Sequence, residues 1–194
     1  TEALTDALKD KTQGDFLKTL RKFTAKLKDG HVRVTLQGDT SESYRLPLLW
    51  DWIENQLVIT DIFDKSLTHF QAGDGVAQIN GITAREALEE KEQYISAATP
   101  GWKRFRALNT LPAGEKNQEF HLELKRDGNT FRETLRASLS NQDYYNLYDI
   151  KAIKSKKLED GIYYLNLGQV SMDEILSLMP GLEKAKAIIC DLRG

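Results

Sequence analysis

The residues best suited to chemistry are the histidines, and one of them has a distinctive position. His31 follows Asp29 and Gly30, where a predicted helix ends and a predicted strand begins. An imidazole in such a turn can act as a general base, because it exchanges a proton near neutral pH. On the residues alone, an exposed loop histidine without a catalytic role is the favoured interpretation.

Other candidate groups point less directly to a reaction. His31, His69 and His121 have no metal-ligand spacing, and the sequence contains no phosphate-binding loop, Gly-x-Ser-x-Gly turn, His-Glu-x-x-His or Cys-x-x-Cys motif. We therefore expect neither a metal site nor a cofactor. Asp191 and Arg193 follow an apolar strand, where α/β sheets place ligand sites, but a structural Asp–Arg pair explains them equally well.

Composition indicates a folded chain without a general affinity for polyanions. Of 194 residues, 40% are apolar and 29% charged, and the formal net charge is −2, values typical of globular proteins. Basic and aromatic side chains at residues 102–106 are better explained by solvated charges than by nucleic-acid binding. No apolar stretch is long enough to span a membrane. Cys190, the single cysteine, lies in an apolar run and is expected to be buried.

The segment that contains His31 must be positioned by the elements around it. Residues 16–27 carry apolar side chains at helical spacing, and the helix is predicted to end at Asp29-Gly30, with Gly30 in the left-handed conformation. Residues 31–36 alternate between apolar and polar, which predicts a half-buried strand. Residues 44–53 are extended but interrupted by a proline, which predicts an edge or bulged strand.

Residues 70–82 combine two tight turns with a short strand. Gly73 and Gly75 flank Asp74, an apolar strand follows, and Asn80-Gly81 is a two-residue turn. A capping box then starts a helix, and a β-hairpin is predicted further along, at residues 120–135. The pattern Gly-Asp-x-Val-x-x-Ile-Asn-Gly followed by a helix resembles the core of a PDZ domain.

A PDZ-like module implies that an extended peptide binds by strand addition. Three apolar residues on the preceding strand are candidate positions for the peptide groove, namely Leu46, Leu48 and Leu49. The same three leucines are equally well explained as core residues, so the sequence leaves both interpretations open.

The last third of the chain follows a different pattern. Residues 150–157, 161–167 and 185–192 are predicted strands, and a helix between the last two begins at Ser171 and is predicted to stop at Pro180-Gly181. Ser171 is better explained as an N-cap than as a nucleophile. This order implies a parallel strand pair buried on both faces. The predicted fold class is therefore α+β: N-terminal helices, a PDZ-like β-rich module, then the first βαβ unit of a truncated α/β domain.

Four segments together resemble the S41 family of serine peptidases, which includes C-terminal processing peptidases and tricorn core proteases. They are residues 27–34, 73–81, 161–165 and 185–194. They occur in the family's order, and the closing Asp-Leu-Arg-Gly is the most specific. The resemblance implies three parts, which are an N-terminal helical segment (1–40), a PDZ-like domain (41–138) and the start of an S41-type catalytic domain (139–194).

The same resemblance implies cleavage of peptide bonds by acyl transfer. His31 matches the histidine of the tricorn-like members and would be the general base, although Gly30 stands where their pattern has a serine. The processing peptidases resemble a Ser–Lys dyad instead. The family's nucleophilic serine lies downstream of the segments present, so we expect this chain alone to be inactive. The implied partner is a polypeptide substrate or a C-terminal peptide, and the implied location is exported, either periplasmic or at the cell surface.

Two functions without catalysis remain open. In the first, the chain is a PDZ-like peptide-binding module and the flanking segments are structural. In the second, weaker one, it resembles interphotoreceptor retinoid-binding protein, which shares the S41 α/β scaffold and binds apolar ligands.

Overall fold

The structure, a computed structural model, describes residues 2–36, 43–151 and 153–192, and the chain divides into two compact units, residues 1–142 and 143–194. The chain is α+β, as predicted. Its described helices are α1 (Glu2–Ala7), α2 (Gln13–Ala25), α3 (Ala84–Glu92), α4 (Pro100–Thr110), α5 (Asn141–Lys151) and α6 (Met172–Leu182). Its described strands are β1 (Tyr44–Arg45), β2 (Leu48–Ile53), β3 (Gln56–Ile62), β4 (Gly75–Ile79), β5 (Ile82–Thr83), β6 (Ala113–Gly114), β7 (Glu119–Arg126), β8 (Asn129–Arg136), β9 (Leu139–Ser140), β10 (Ser155–Lys157), β11 (Ile162–Asn166) and β12 (Ala187–Asp191).

An antiparallel sheet of six strands forms the centre of the first unit. Its strand order is β2-β3-β4-β7-β8, with β5 paired to β4, so β2 and β8 lie at the edges of the described sheet. The register of β2 shifts between Leu49 and Trp50, which confirms the predicted edge or bulged strand. Strands β1, β6 and β9 form a second, small antiparallel sheet.

The predicted turn, strand, turn and helix are confirmed within this sheet. Asn80 and Gly81 have φ values of 51° and 85°, the positive values that a tight hairpin turn requires. Thr83 and Glu86 then form a reciprocal capping box, which satisfies free N–H groups at the start of α3. The apolar face of α3 is buried, so the helix covers the sheet and closes the core.

The segment after α2 differs from its prediction. The helix ends at Ala25, and the residue with positive φ is Lys28, at 54°, so the expectation for Gly30 is wrong. Residues 31–36 form no strand within the described chain, which corrects that prediction too. The physical reason is visible at Val34, whose carbonyl accepts a hydrogen bond from Arg21 Nε at 2.9 Å instead of from a neighbouring strand.

The second unit contains the predicted strand–helix–strand arrangement. Strands β11 and β12 pair in parallel and are joined through α6, while β10 pairs antiparallel to β11. However, β12 is an edge of this described sheet, and its apolar side chains are largely exposed, Ile188 by 45% and Ile189 by 47%. Cys190 is exposed as well, so the expectations of a buried cysteine and of burial on both faces are wrong.

Two boundaries in the second unit also differ. Helix α5 extends to Lys151, so the strand predicted from residue 150 is reduced to β10, and residue 152 lies outside the described residues. Helix α6 continues through Pro180 and ends at Leu182. A proline so near the end removes a single N–H donor, and the extra residues bring Leu182 into a buried position.

Candidate functional site

The turn that carries His31 is anchored to the first unit at two points. The N–H of Asp29 donates to Ser96 Oγ at 3.0 Å, and Ser96 is itself buried. Gly30 lies against the indole of Trp102, where a Cβ atom would stand only 3.3 Å from Nε1. A larger residue at position 30 would therefore push the turn away from α4, and this contact explains the glycine better than backbone conformation does.

Asp29 and His31 form a directly bonded pair. The His31 backbone N–H donates to Asp29 Oδ1 at 2.9 Å, and His31 Nδ1 lies 3.0 Å from the same oxygen. These two contacts, the backbone one first, hold the pKa of the Asp29 carboxyl below its usual range. An ionised carboxylate only accepts hydrogen bonds, so Nδ1 carries the ring proton and Nε2 keeps its lone pair.

The geometry leaves His31 able to accept a proton at a defined atom. Its side chain is 99% exposed, and the carboxylate behind Nδ1 directs Nε2 away from the turn. A carboxylate on one ring nitrogen with a basic nitrogen on the other is the arrangement that orients histidine in Ser–His systems. Asp29 was not identified from the sequence as a functional residue. The signal was its position two residues before the histidine, where an aspartate side chain bonds back to the following N–H.

The three leucines proposed for a peptide groove do not share one surface. Leu46 and Leu48 have no exposed area and belong to the main core. Leu49 is half-buried and, because side chains alternate along a strand, lies on the opposite face of β2 from Leu48. The first two fit the core interpretation that the sequence left open, and Leu49 is the residue of the three with surface to offer a ligand.

The remaining candidate residues are not brought together with His31. His121 lies on β7, where Nδ1 is 3.0 Å from Thr134 Oγ1. Asp191 accepts a hydrogen bond from Tyr164 Oη at 2.7 Å, while its proposed partner Arg193 lies outside the described residues. Ser171 caps α6 through a capping box with Glu174, which confirms the structural interpretation of that serine.

Metal and membrane features were searched in the part of the chain that the structure describes. No group of three or more His, Cys, Asp or Glu side chains there is arranged to hold a metal ion. No helix in those residues is long and apolar enough to cross a membrane.

No protein-family model and no curated protein matches the sequence, but solved structures match the fold. The structure of mature CPAF complexed with lactacystin has a TM-score of 0.67 at 14% identity, covering 97% of this chain and 48% of that chain. This chain shares the CPAF fold. A crystal structure of a CPAF mutant gives the same TM-score of 0.67 at 15% identity, with the same coverage of 97% and 48%. The chain therefore spans about half the length of these CPAF structures.

Two further matches are weaker. A crystal structure of mature CPAF covers 78% of this chain and 31% of its own length, with a TM-score of 0.57 at 18% identity. A photosystem II D1 C-terminal processing protease covers 96% of this chain and 52% of its own, at 11% identity. The TM-score of 0.35 for that protease is too low to indicate a shared fold.

Proposed function

We propose that this chain supplies the general base and a peptide-binding module of an S41-type serine endopeptidase. The observation that carries the proposal is the Asp29–His31 pair, in which one ring nitrogen is held by a carboxylate and the other is free to accept a proton. The ordered set of S41-like segments supports the family, and the fold shared with CPAF is compatible with it.

The proposed reaction uses His31 twice. Nε2 removes the proton of a serine hydroxyl, which comes from outside these 194 residues, as the serine oxygen bonds to the peptide carbonyl carbon. The imidazolium then gives this proton to the leaving amine, and an acyl-enzyme remains. Water attacks the acyl carbon in the second half of the reaction, with the same histidine as base. Asp29 acts as a positioning residue, because it holds the proton on Nδ1 and stabilises the imidazolium.

The PDZ-like part, residues 41–138 in our proposed division, would present the polypeptide. Strands β2 and β8 lie at the edges of the described sheet, where an extended peptide can add as a further strand. Leu49 on β2 is our proposed contact for a peptide side chain. The helical segment 1–40 and the segment 139–194 would belong to the catalytic part, and we place the protein outside the cytoplasm, in the periplasm or at the cell surface.

The direct test is His31→Ala in the full-length protein. We expect kcat/KM for peptide cleavage to fall at least about 100-fold, the usual contribution of a general base. His69→Ala is the matched control, because His69 is exposed and contributes only its backbone carbonyl to a described contact. Circular dichroism should show both variants folded. Activity retained in His31→Ala would overturn the role of His31 and favour a Ser–Lys arrangement.

A second candidate function, peptide binding without catalysis, is favoured by the same open edge of β2. It predicts that the full-length protein binds peptides but does not react with a fluorophosphonate probe, which labels activated serines. Labelling that depends on His31 would exclude this alternative, whereas peptide binding without labelling would support it.

A further inference from the structure

The face of α4 that holds the His31 turn also carries an unusual pair of positive charges. Arg106 lies one helical turn after Trp102, on the same side of α4, and its Nη1 donates to the Ser96 carbonyl at 2.9 Å. Ser96 also anchors the turn at Asp29 through its hydroxyl. The guanidinium of Arg106 therefore reaches the base of the turn that presents His31.

Arg33 brings a second guanidinium to this place. Along residues 31–35 the exposed side chains alternate with half-buried ones, so His31 and Arg33 lie on the same exposed side of the segment. The pKa of Arg106 is lowered, first because the side chain is partly buried and second because the Arg33 cation lies close to it. Two like charges thus face each other beside the turn.

No described carboxylate neutralises this pair. Other half-buried arginines of the chain are matched by acids, Arg126 by Asp74 and Arg104 by Glu92. The ion pairs among the described side chains include neither Arg33 nor Arg106. Partly buried charges are normally paired, and a guanidinium has five N–H donors, of which Arg106 uses one here.

We propose that Arg33 and Arg106 form a carboxylate-binding subsite beside His31, which selects peptides with an acidic side chain near the bond to be cleaved. This inference rests on the proposed peptidase function. A carboxylate fits the planar fork of arginine and accepts two hydrogen bonds at once, and its negative charge would relieve the repulsion between the two guanidiniums. A nucleic acid would require a wider basic surface, which a chain of net charge −2 with only two clustered arginines does not offer.

The binding test uses the 194-residue chain and two blocked peptides, acetyl-Ala-Ala-Glu-Ala-Ala-amide and its Gln counterpart. Only the Glu side chain supplies a carboxylate, so the pair isolates that group. We expect the Glu peptide to bind about tenfold more tightly and to shift the Nε–H NMR signals of Arg33 and Arg106. Equal affinity for the two peptides would overturn the inference, as would full displacement of the Glu peptide by an equal concentration of acetate.

Variants separate this subsite from a general charge effect. Arg33→Gln should remove the preference for Glu, whereas Arg132→Gln, which removes the same charge from an exposed side chain, should retain it. Arg106→Lys keeps the positive charge and should weaken Glu binding less than Arg33→Gln does. If Arg132→Gln abolishes the preference as well, the effect is general electrostatics and the subsite is refuted.

Catalysis distinguishes a failure of the subsite from a failure of the proposed function. In the full-length protein, Arg33→Gln should lower kcat/KM about tenfold for a Glu substrate and leave that for its Gln analogue unchanged. His31→Ala should lower both. Cleavage that depends on His31 but does not prefer Glu would refute the subsite alone, while preferential Glu binding without cleavage would refute the peptidase.

Discussion

At the scale of single residues, the tightest polar arrangement is the pair between Asp74 and Arg126. Asp74 has no exposed surface, and its two carboxylate oxygens accept from Arg126 Nε at 2.6 Å and Nη2 at 2.7 Å. Arg126 Nη2 also donates to the His69 carbonyl at 2.8 Å, and Asp74 accepts from the Gln71 N–H at 2.9 Å. Asp74 therefore joins the turn before β4 to the end of β7.

We expect Asp74→Asn to lower the free energy of unfolding by about 3 kcal/mol, because removal of one partner leaves the other charge uncompensated. Urea denaturation measures the change. Glu123→Gln is the matched control, since its partner Arg132 is 84% exposed, and exposed pairs contribute at most about 1 kcal/mol. Equal losses in the two variants would show that burial does not strengthen the Asp74 pair.

At the scale of elements, backbone conformation determines where the chain of the first unit reverses. Gly81 has a φ of +85° in the turn between β4 and β5, and a Cβ atom there would meet no other atom within 4 Å. Gly101, near the start of α4, is equally open but has ordinary helical backbone. The two glycines thus differ in conformation and not in the space around them.

This difference predicts opposite effects of the same substitution. Gly81→Ala should cost about 1 kcal/mol of unfolding free energy, because a Cβ atom is disfavoured at positive φ. Gly101→Ala should add about 0.5 kcal/mol, because alanine loses less conformational entropy in a helix. Thermal and urea denaturation of both variants measure the changes. A stabilising effect of Gly81→Ala would contradict the turn geometry assigned to residues 80–81.

At the scale of the whole molecule, the two compact units differ in how much apolar surface each buries. In residues 1–142 a continuous core lies between the six-stranded sheet and helices α3 and α4. In the described part of residues 143–194 the buried apolar residues are Tyr144, Leu165 and Leu182, while Met172 and Leu176 on α6 are exposed. Burial of apolar surface is the main source of stability, so the second unit is the weaker one.

Amide hydrogen exchange followed by mass spectrometry can test this difference. We expect the amides of β11 to exchange at least about tenfold faster than those of β7, because local opening is easier where few side chains are buried. Strand β8, which lies at an edge of the larger sheet, is the control for edge position alone. Equal protection of β7 and β11 would contradict the inferred order of stability.

Much of the local structure could be predicted from the sequence because it depends on neighbouring residues. The Asn80-Gly81 turn and the helix caps at Thr83 and Ser171 each rest on backbone chemistry within four residues. The alternating pattern of residues 120–135 likewise predicted the hairpin of β7 and β8. Such short-range signals also located the turn that carries His31, although they did not show that Asp29 binds its ring.

Other features depended on residues that are distant in sequence. The alternation of residues 31–36 predicted a strand, yet in the described chain Arg21 takes the carbonyl of Val34, and no strand forms. The apolar run around Cys190 predicted burial, but whether an apolar strand is covered depends on its neighbours, and β12 is an edge. Periodicity shows which side chains can share a face and does not show what covers that face.

The sequence by itself therefore determined the α+β class, the turns, the helix starts and the position of His31 in a turn. Tertiary structure decided the rest of the candidate site, because its contacts join separate parts of the chain. Ser96 and Trp102 hold the turn from 67 and 72 residues away, and Arg106 meets Arg33 across 73 residues, by difference of their positions. Contacts over such separations follow from packing of the core, which no local pattern specifies.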